Sequence, residues 1–180
     1  MAARPVFRII GGRWRGRKIR FIPSVRASGS RVRESLFNCL GRMEGRNCLD
    51  LFAGAGALAL EAASRGAHSV VCVERYRPAA RALRQAADML NAESVAVHAR
   101  AAASFLESER GCFDVIFMDP PFSDYADDAA WGRLLNMSAA HLAPGGVVYC
   151  ESDRHFVPPA GWRSERQKSA GSVFWQLLRR

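Results

Sequence analysis

The sequence lacks the hallmarks of membrane, secreted and metal-binding proteins. No apolar run approaches the roughly 18 residues of a membrane span, and Arg4 and Arg8 interrupt the first residues, where a secretion signal needs an apolar stretch. The five cysteines include no CxxC pair, and the four histidines show no ligand spacing. We therefore expect reduced cysteines in the core, a cytoplasmic location, no membrane association and no metal site.

Positive charge is concentrated in the first quarter of the chain. The 180-residue protein has a formal net charge of +9. Residues 1–46 contain 12 Lys and Arg against 2 Asp and Glu, whereas residues 47–180 contain 14 against 15. A basic segment on a near-neutral body is typical of nucleic-acid binding, although a solvated basic face has the same composition. We predict a nucleic-acid-binding extension over residues 1–46.

The basic extension has the pattern of a β-hairpin. Val6–Ile10 is a short apolar run, Gly11–Gly12 is a turn signal, and Arg13–Ile19 alternates loosely as a return strand. Arginines beside Trp14 suit RNA, because guanidinium groups bind phosphate and an indole stacks on a base. Trp14 is equally consistent with an anchor that holds the hairpin on the body of the protein.

The rest of the chain alternates strand and helix patterns. After the hairpin, a helix is predicted with Ser30 as N-cap and Gly41 at its end. The predicted strands beyond it are Cys48–Phe52, Ser69–Val73, Val95–His98, Phe113–Met118 and Val147–Cys150, followed by a hairpin of Trp162–Gln167 and Val173–Leu178. The predicted helices are Ala57–Arg65, Pro78–Leu90, Ala102–Glu109 and Asp128–Leu142. This alternation indicates one α/β domain over residues 47–180, with a parallel, doubly wound sheet.

Ligands of open α/β sheets bind where the strands end, so the residues after the strands carry the information. Asp50 ends the first strand, and small residues including Gly54 and Gly56 follow it, which lets a ligand approach the backbone. Glu74 lies 20 residues after Gly54 and ends the second strand, where a carboxylate accepts both hydroxyls of a ribose. The same residues, with Ala59, also satisfy a dinucleotide fingerprint. Asp50 favours an amino-acid ammonium over a pyrophosphate.

The tetrapeptide Asp119–Phe122 is the most specific signal in the sequence. Its two prolines hold the backbone extended, so the Asp119 side chain and the Pro120 carbonyl aim at one point. Both groups are acceptors, suited to an exocyclic amine that attacks an electrophilic methyl group. Phe122 offers a face on which a flipped base stacks.

These motifs resemble a known family. Asp50–Glu61, Glu74 and Asp119–Phe122 are similar to the S-adenosylmethionine site and amino-methylating motif of class I methyltransferases. With Arg8–Lys18 and Arg31–Asn38, the sequence is identified as a member of the RsmD family, bacterial 16S ribosomal RNA guanine-N2 methyltransferases. The resemblance implies a Rossmann-like, seven-stranded, mostly parallel sheet with helices on both faces and an antiparallel last strand. It also implies S-adenosylmethionine as cofactor and the small ribosomal subunit, or its assembly intermediate, as substrate; nothing in the sequence demands a dimer, and we expect a monomer.

The resemblance assigns roles to individual residues. It gives catalytic roles to Asp119, Pro120 and Phe122. Cofactor contacts are expected from Asp50, Phe52, Ala53, Gly54, Gly56, Glu74, Arg75 and Ala101. RNA contacts are expected from Arg13, Trp14, Arg15, Arg17, Lys18, Arg31 and Arg33.

Two departures from the family pattern stay open, as do three other functions, one of which is the NAD-dependent oxidoreductase that the dinucleotide fingerprint allows. The family's Arg-Pro-Thr-Thr-Asp run corresponds to Arg26–Ser30 in this sequence. Ser30 stands where the family has an aspartate, so no acidic role is expected at this position. Ala101 stands where the family often has an acid or amide near the adenine amine, so adenine must rely on backbone groups. DNA adenine-N6 methylation uses similar tetrapeptides, but no segment is long enough for a target-recognition region. A non-catalytic assembly factor would have no use for all three of Asp50, Glu74 and Asp119.

Overall fold

The computed structural model describes residues 5–125 and 127–180. The strands are β1 (Val6–Arg8), β2 (Lys18–Arg20), β3 (Asn47–Asp50), β4 (Ser69–Val73), β5 (Val95–His98), β6 (Phe113–Met118), β7 (Leu142–Ser152), β8 (Arg163–Ala170) and β9 (Val173–Arg179). The helices are α1 (Ser30–Leu40), α2 (Ala57–Ser64), α3 (Arg77–Met89), α4 (Ala102–Ser108) and α5 (Asp128–Ala139), with a 3₁₀ turn over Phe122–Tyr125.

One seven-stranded sheet organises the protein, in the order β5-β4-β3-β6-β7-β9-β8. Strands β5, β4, β3, β6 and β7 are parallel, and β9 runs antiparallel to both β7 and β8. The predicted Rossmann-like sheet with an antiparallel last strand is therefore confirmed. The chain leaves β3 toward β4 and β5, and then returns to place β6 on the other side of β3. This reversal opens a crevice at the carboxyl ends of β3 and β6.

Apolar side chains cover both faces of the sheet, because a buried parallel sheet needs helices on each side. One face packs against α1, α2, α3 and the N-terminal hairpin, and the other against α4 and α5. Phe7, Ile9 and Ile19 of the hairpin are buried in the same core as the first group of helices. The hairpin is therefore packed as part of the body, and its basic side chains project from a fixed base.

The hairpin differs from its predicted form in its strands and its cap. The strands are only Val6–Arg8 and Lys18–Arg20, so Arg13 to Arg17 lie in the connecting loop and not in the return strand. The loop is held on α2: the Arg13 N–H donates to the carbonyl of Ser64 at 2.8 Å. The prediction that Ser30 caps α1 is wrong, because Gly29 occupies the N-cap position without a side-chain hydrogen bond. Gly41 ends α1 with φ 70°, as predicted.

A buried carboxylate ties the hairpin to the body. Glu61 on α2 is fully buried and accepts hydrogen bonds from the backbone N–H groups of Ile10 at 2.9 Å and Gly11 at 2.8 Å. Its oxygens also meet Arg33 at 3.2 Å and Arg65 at 2.8 Å. Because every oxygen of Glu61 is satisfied, the chain buries a charge here at low cost and obtains one geometry for the hairpin.

Over the described ranges, no helix combines the length and apolarity needed to cross a membrane. The same residues contain no group of three or more His, Cys, Asp or Glu side chains placed to hold a metal ion. All five cysteines are free thiols, and three of them are buried in the sheet, as Cys48, Cys72 and Cys150.

Candidate active site

A cavity of about 420 Å³ lies at the crevice between β3 and β6. It collects residues that are far apart in the chain, because the parallel strands all end at this edge. Among the predicted cofactor and catalytic residues, those that line it are Asp50, Phe52, Ala53, Gly54, Glu74, Arg75, Asp119, Pro120 and Phe122. Gly56 and Ala101 are not among its lining residues, and Ala102 lines it in place of Ala101.

The glycine loop after β3 requires two left-handed residues. Gly54 has φ 50° and Gly56 has φ 78°, values that favour glycine. A Cβ on Gly54 would stand 3.3 Å from the carbonyl oxygen of Arg26, and one on Gly56 would stand 2.2 Å from a methyl group of Leu83 on α3. Gly54 therefore borders the cavity, whereas Gly56 allows α3 to pack closely behind the loop. The role of Gly56 that the structure displays is one of packing.

The Glu74 carboxylate is held in place by backbone groups. It accepts hydrogen bonds from the N–H of Gly54 at 2.8 Å and the N–H of Tyr76 at 2.7 Å. These bonds join the end of β4 to the glycine loop after β3. Each oxygen keeps a second lone pair, so the oriented carboxylate is able to accept two further hydroxyl donors in the cavity.

Asp50 is a buried carboxylate at the end of β3. It is only 1% exposed and accepts a hydrogen bond from the N–H of Phe52 at 3.4 Å. Burial raises the pKa of Asp50 to about 8, and the nearby carboxylates of Asp119 and Glu74 add to the rise. A cation placed in the cavity beside Asp50 would relieve both effects.

The carboxylate of Asp119 is bound by two side chains that were not predicted to belong to the site. Arg26 lies with Nη2 3.1 Å from Oδ1, and the Ser28 hydroxyl donates to Oδ2 at 2.9 Å. Burial raises the pKa of Asp119, while Arg26 and Ser28 act in the opposite direction. Arg26 also stacks over Phe122, with its Cζ 4.2 Å from the ring centre. The sequence feature that pointed to Arg26 and Ser28 was the departure of Arg26–Ser30 from the family's Arg-Pro-Thr-Thr-Asp run.

A further buried carboxylate, that of Glu151, lies at this sheet edge and was not predicted from the sequence. Glu151 near the end of β7 is 2% exposed and accepts a 2.6 Å hydrogen bond from the hydroxyl of Tyr149. Burial raises the pKa of Glu151 to about 7, with a further contribution from Asp119. The site therefore concentrates acidic groups at the ends of neighbouring parallel strands.

The predicted RNA-binding residues divide into exposed and buried groups. The exposed ones are Arg13, Arg15, Arg17, Lys18 and Arg31. Trp14 is half-buried against the core and carries the Arg13 guanidinium 4.1 Å from its ring centre. Trp14 thus anchors the loop and supports a cation on its open face.

The structure contradicts the RNA contact predicted for Arg33. This side chain is 2% exposed, and its guanidinium is already bound within the protein. It donates to the carbonyls of Ser28 at 3.0 Å and Arg8 at 3.0 Å and pairs with Glu61. Arg33 therefore joins the hairpin, the active-site segment and α2, and no RNA phosphate reaches it.

The sheet order, the glycine loop and the strand-end carboxylates define a class I methyltransferase. A family model described as "Conserved hypothetical protein 95" matches residues 7–179. The chain belongs to this family, the RsmD family of methyltransferases.

Named relatives agree with this assignment. The chain is 36% identical over 187 residues to ribosomal RNA small subunit methyltransferase D of Escherichia coli strain K12, covering 96% of this chain and 89% of the relative. The solved structure of the Escherichia coli protein yhhF is 36% identical with a TM-score of 0.85, covering 97% of each chain. The Thermus thermophilus 16S rRNA N2 G1207 methyltransferase, solved with AdoMet and guanosine, is 26% identical with a TM-score of 0.73, covering 98% of this chain and 49% of that one.

Proposed function

We propose that this protein transfers a methyl group from S-adenosylmethionine to the exocyclic N2 amine of a guanine in 16S rRNA. The observation that carries the proposal is one cavity that unites Asp119, Pro120 and Phe122 with Asp50 and Glu74. The names of the relatives, which include small subunit rRNA methyltransferases, support the rRNA substrate. The Thermus relative solved with guanosine supports the choice of base.

The charged side chains and the exposed backbone of the cavity suit the functional groups of S-adenosylmethionine. The ligand carries an ammonium, which Asp50 needs as a buried partner, and a ribose, whose hydroxyls Glu74 is oriented to accept. Gly54 lines the cavity without a side chain, so a ligand is able to approach its backbone. When bound, the cofactor supplies an electrophilic methyl group. Arg75 and Ala102, which line the cavity, are the side chains beyond Glu74 that we assign to the adenine end.

The chain's own residues then act on the nucleophile. Asp119 and the Pro120 carbonyl accept hydrogen bonds from the guanine amine, which turns its lone pair toward the methyl group. Phe122 stacks on the base and sets the plane in which the amine lies, an interaction worth about 1–3 kcal/mol. The new N–C bond forms as the S–C bond breaks, and the amine then loses its proton. The acceleration comes from positioning and from polarisation of the amine.

We assign RNA recognition to the basic extension, residues 1–46, and methyl transfer to residues 47–180. In the extension, the exposed Arg13, Arg15 and Arg17 lie on a loop that Glu61 and Ser64 hold in place, so these cations are presented in a fixed arrangement. Such preorganisation lowers the entropy cost of binding a phosphate backbone.

Nucleoside mass spectrometry tests the proposal directly. Small subunits from cells that lack the enzyme are incubated with the protein and labelled S-adenosylmethionine, and the 16S rRNA is digested. We expect label in N2-methylguanosine alone. Label in N6-methyladenosine, or no label in any nucleoside, would overturn the proposal in favour of adenine methylation or a non-catalytic assembly factor.

Cofactor affinity should depend on pH through Asp50. The free protein holds a proton on Asp50 up to about pH 8, and the cofactor ammonium requires the carboxylate form. Binding below that pH therefore releases a proton, and affinity should rise up to tenfold per pH unit between pH 6 and about pH 7.5. Titration calorimetry at pH 6.5, in buffers of different ionisation enthalpy, measures the released proton.

A ligand without the amino group is the matched control. 5′-Methylthioadenosine should bind with no proton release, because it places no cation beside Asp50. In Asp50→Asn the pH dependence of S-adenosylmethionine binding should disappear. A proton release that persists in Asp50→Asn would assign the titration to another group.

The salt dependence of RNA binding tests the extension. The variant replaces with glutamine the four exposed cations Arg13, Arg15, Arg17 and Lys18. If the four cations each contact a phosphate, the slope of log K against log salt should fall by about three. The buried side chains Phe7, Ile9 and Ile19 remain, so the hairpin keeps its core contacts. Filter binding from low to moderate salt measures the slope.

Four exposed arginines elsewhere provide the control. The control variant carries the same number of glutamine substitutions, at Arg81, Arg110, Arg133 and Arg166. It loses the same charge and should keep nearly the parent slope. Equal slopes for the two variants would show that the extension has no special contact with RNA.

A further inference from the structure

Arg26 makes the two contacts that the proposed function gives to the target base. Its Nη2 lies 3.1 Å from Oδ1 of Asp119, where the base amine would donate. Its guanidinium plane covers the Phe122 ring at 4.2 Å, where the base would stack. One ring face cannot stack on the guanidinium and on a base at once, and the guanidinium fills the space beside Oδ1 from which the amine would donate.

We propose that Arg26 occupies the target-base subsite in the RNA-free protein and must leave it before the base enters. The inference rests on the proposed function and adds that the Arg26 side chain competes with the target base for its subsite. A guanidinium and the N1–C2–N2 edge of guanine are both planar, and both present N–H donors to a carboxylate. The subsite therefore holds a group that resembles the edge of its substrate.

The same resemblance accounts for a preference among bases. Guanine presents a ring N–H donor beside its exocyclic amine, as a guanidinium presents neighbouring N–H groups. Adenine and cytosine present a ring nitrogen acceptor beside the amine, which would face the Asp119 carboxylate unfavourably. The donor edge of guanine therefore resembles the group that Arg26 presents to Asp119 more closely than the edge of adenine or cytosine does.

Only the Arg26 side chain has to move. It is 57% exposed, whereas the Asp119 side chain is 11% exposed. Ser28 holds Oδ2 of Asp119, and the carbonyl of Ser28 is in turn held by the buried Arg33 at 3.0 Å. Departure of Arg26 therefore frees Oδ1 while the carboxylate keeps its orientation. Ser28 is a positioning residue in this arrangement.

Kinetics of Arg26→Ala on small subunits test the inference. Because the substrate no longer displaces an exposed ion pair and a cation–π contact, KM for the subunits should fall about fivefold, with kcat unchanged. Arg42→Ala removes an arginine that is 91% exposed from a pair with Glu44 and should leave both constants unchanged. An unchanged or raised KM in Arg26→Ala would overturn the inference, and a raised KM would assign Arg26 to RNA binding.

A binding experiment separates this inference from the proposed function, since it needs no turnover. Ethylguanidinium, followed by ligand-observed NMR, should bind saturably to Arg26→Ala and restore the missing group. It should not bind to the parent protein, whose subsite is filled, or to Arg26→Ala with Asp119→Ala. Failure to bind Arg26→Ala would overturn the inference. Absence of label in the nucleoside assay, with ethylguanidinium binding as described, would overturn the guanine-N2 activity alone.

Discussion

Asp119→Ala is expected to lower methyl transfer by at least about 10³-fold while leaving cofactor affinity nearly unchanged. The substitution removes the acceptor that orients the amine but no group assigned to the cofactor. Because Asp119 contributes to the raised pKa of Asp50, its removal favours the charged form of Asp50 and does not weaken ammonium binding. Single-turnover transfer to small subunits and calorimetric titration of S-adenosylmethionine measure the two quantities separately.

Asp88→Ala is the control for that experiment. Asp88 is an exposed acid on α3 that does not line the cavity. Its loss should change neither the rate of methyl transfer nor the affinity for S-adenosylmethionine. Turnover of Asp119→Ala within tenfold of the parent would contradict the proposed mechanism. A parallel loss of cofactor affinity would instead place Asp119 in cofactor binding.

Glu61→Gln is expected to cost about 3–5 kcal/mol of folding free energy. The amide leaves the buried Arg33 without a counter-charge and meets N–H donors with a group that also donates. For a chain of this size, the loss corresponds to a fall in melting temperature of roughly 6–20 °C. Thermal unfolding followed by circular dichroism measures it.

An exposed pair supplies the comparison. Glu44→Gln breaks the contact with Arg42, whose side chain is 91% exposed, and should cost less than about 1 kcal/mol. Replacing Arg33 by methionine in the Glu61→Gln background should recover part of the loss, because no unpaired buried charge remains. Equal melting temperatures for Glu61→Gln and Glu44→Gln would show that the buried network does not hold the hairpin.

The strands that were predicted most accurately are those with local boundaries. Val95–His98 and Phe113–Met118 have the predicted bounds, because an apolar run between polar or breaking residues marks a strand by itself. Strand β7 is longer than its predicted core Val147–Cys150: it begins at Leu142, where the predicted helix was expected to end, and includes Pro144, Gly145 and Gly146. Pairing of Leu142 with Phe113 extends the strand there, and a partner strand is not a local feature.

Charge was harder to interpret than apolarity. Arg33 and Arg31 are equally basic neighbours in the sequence, yet Arg31 is exposed and Arg33 is buried. The difference is the position of α1 against Glu61, which lies 28 residues away in the chain. Periodicity identifies the apolar face of a helix, but it does not reveal that one arginine of the helix pairs with a carboxylate distant in the chain.

The sequence by itself determined the α/β class, the carboxylates that end β3, β4 and β6, and the concentration of cations before residue 47. Each of these is local: a run, a spacing or a motif. Only the tertiary structure decided that Arg26 and Ser28 close on Asp119, across separations of 93 and 91 residues. It also decided that Glu61 anchors the hairpin. Long-range contacts depend on how α1, α2 and the sheet pack together, and packing selects partners that no local pattern encodes.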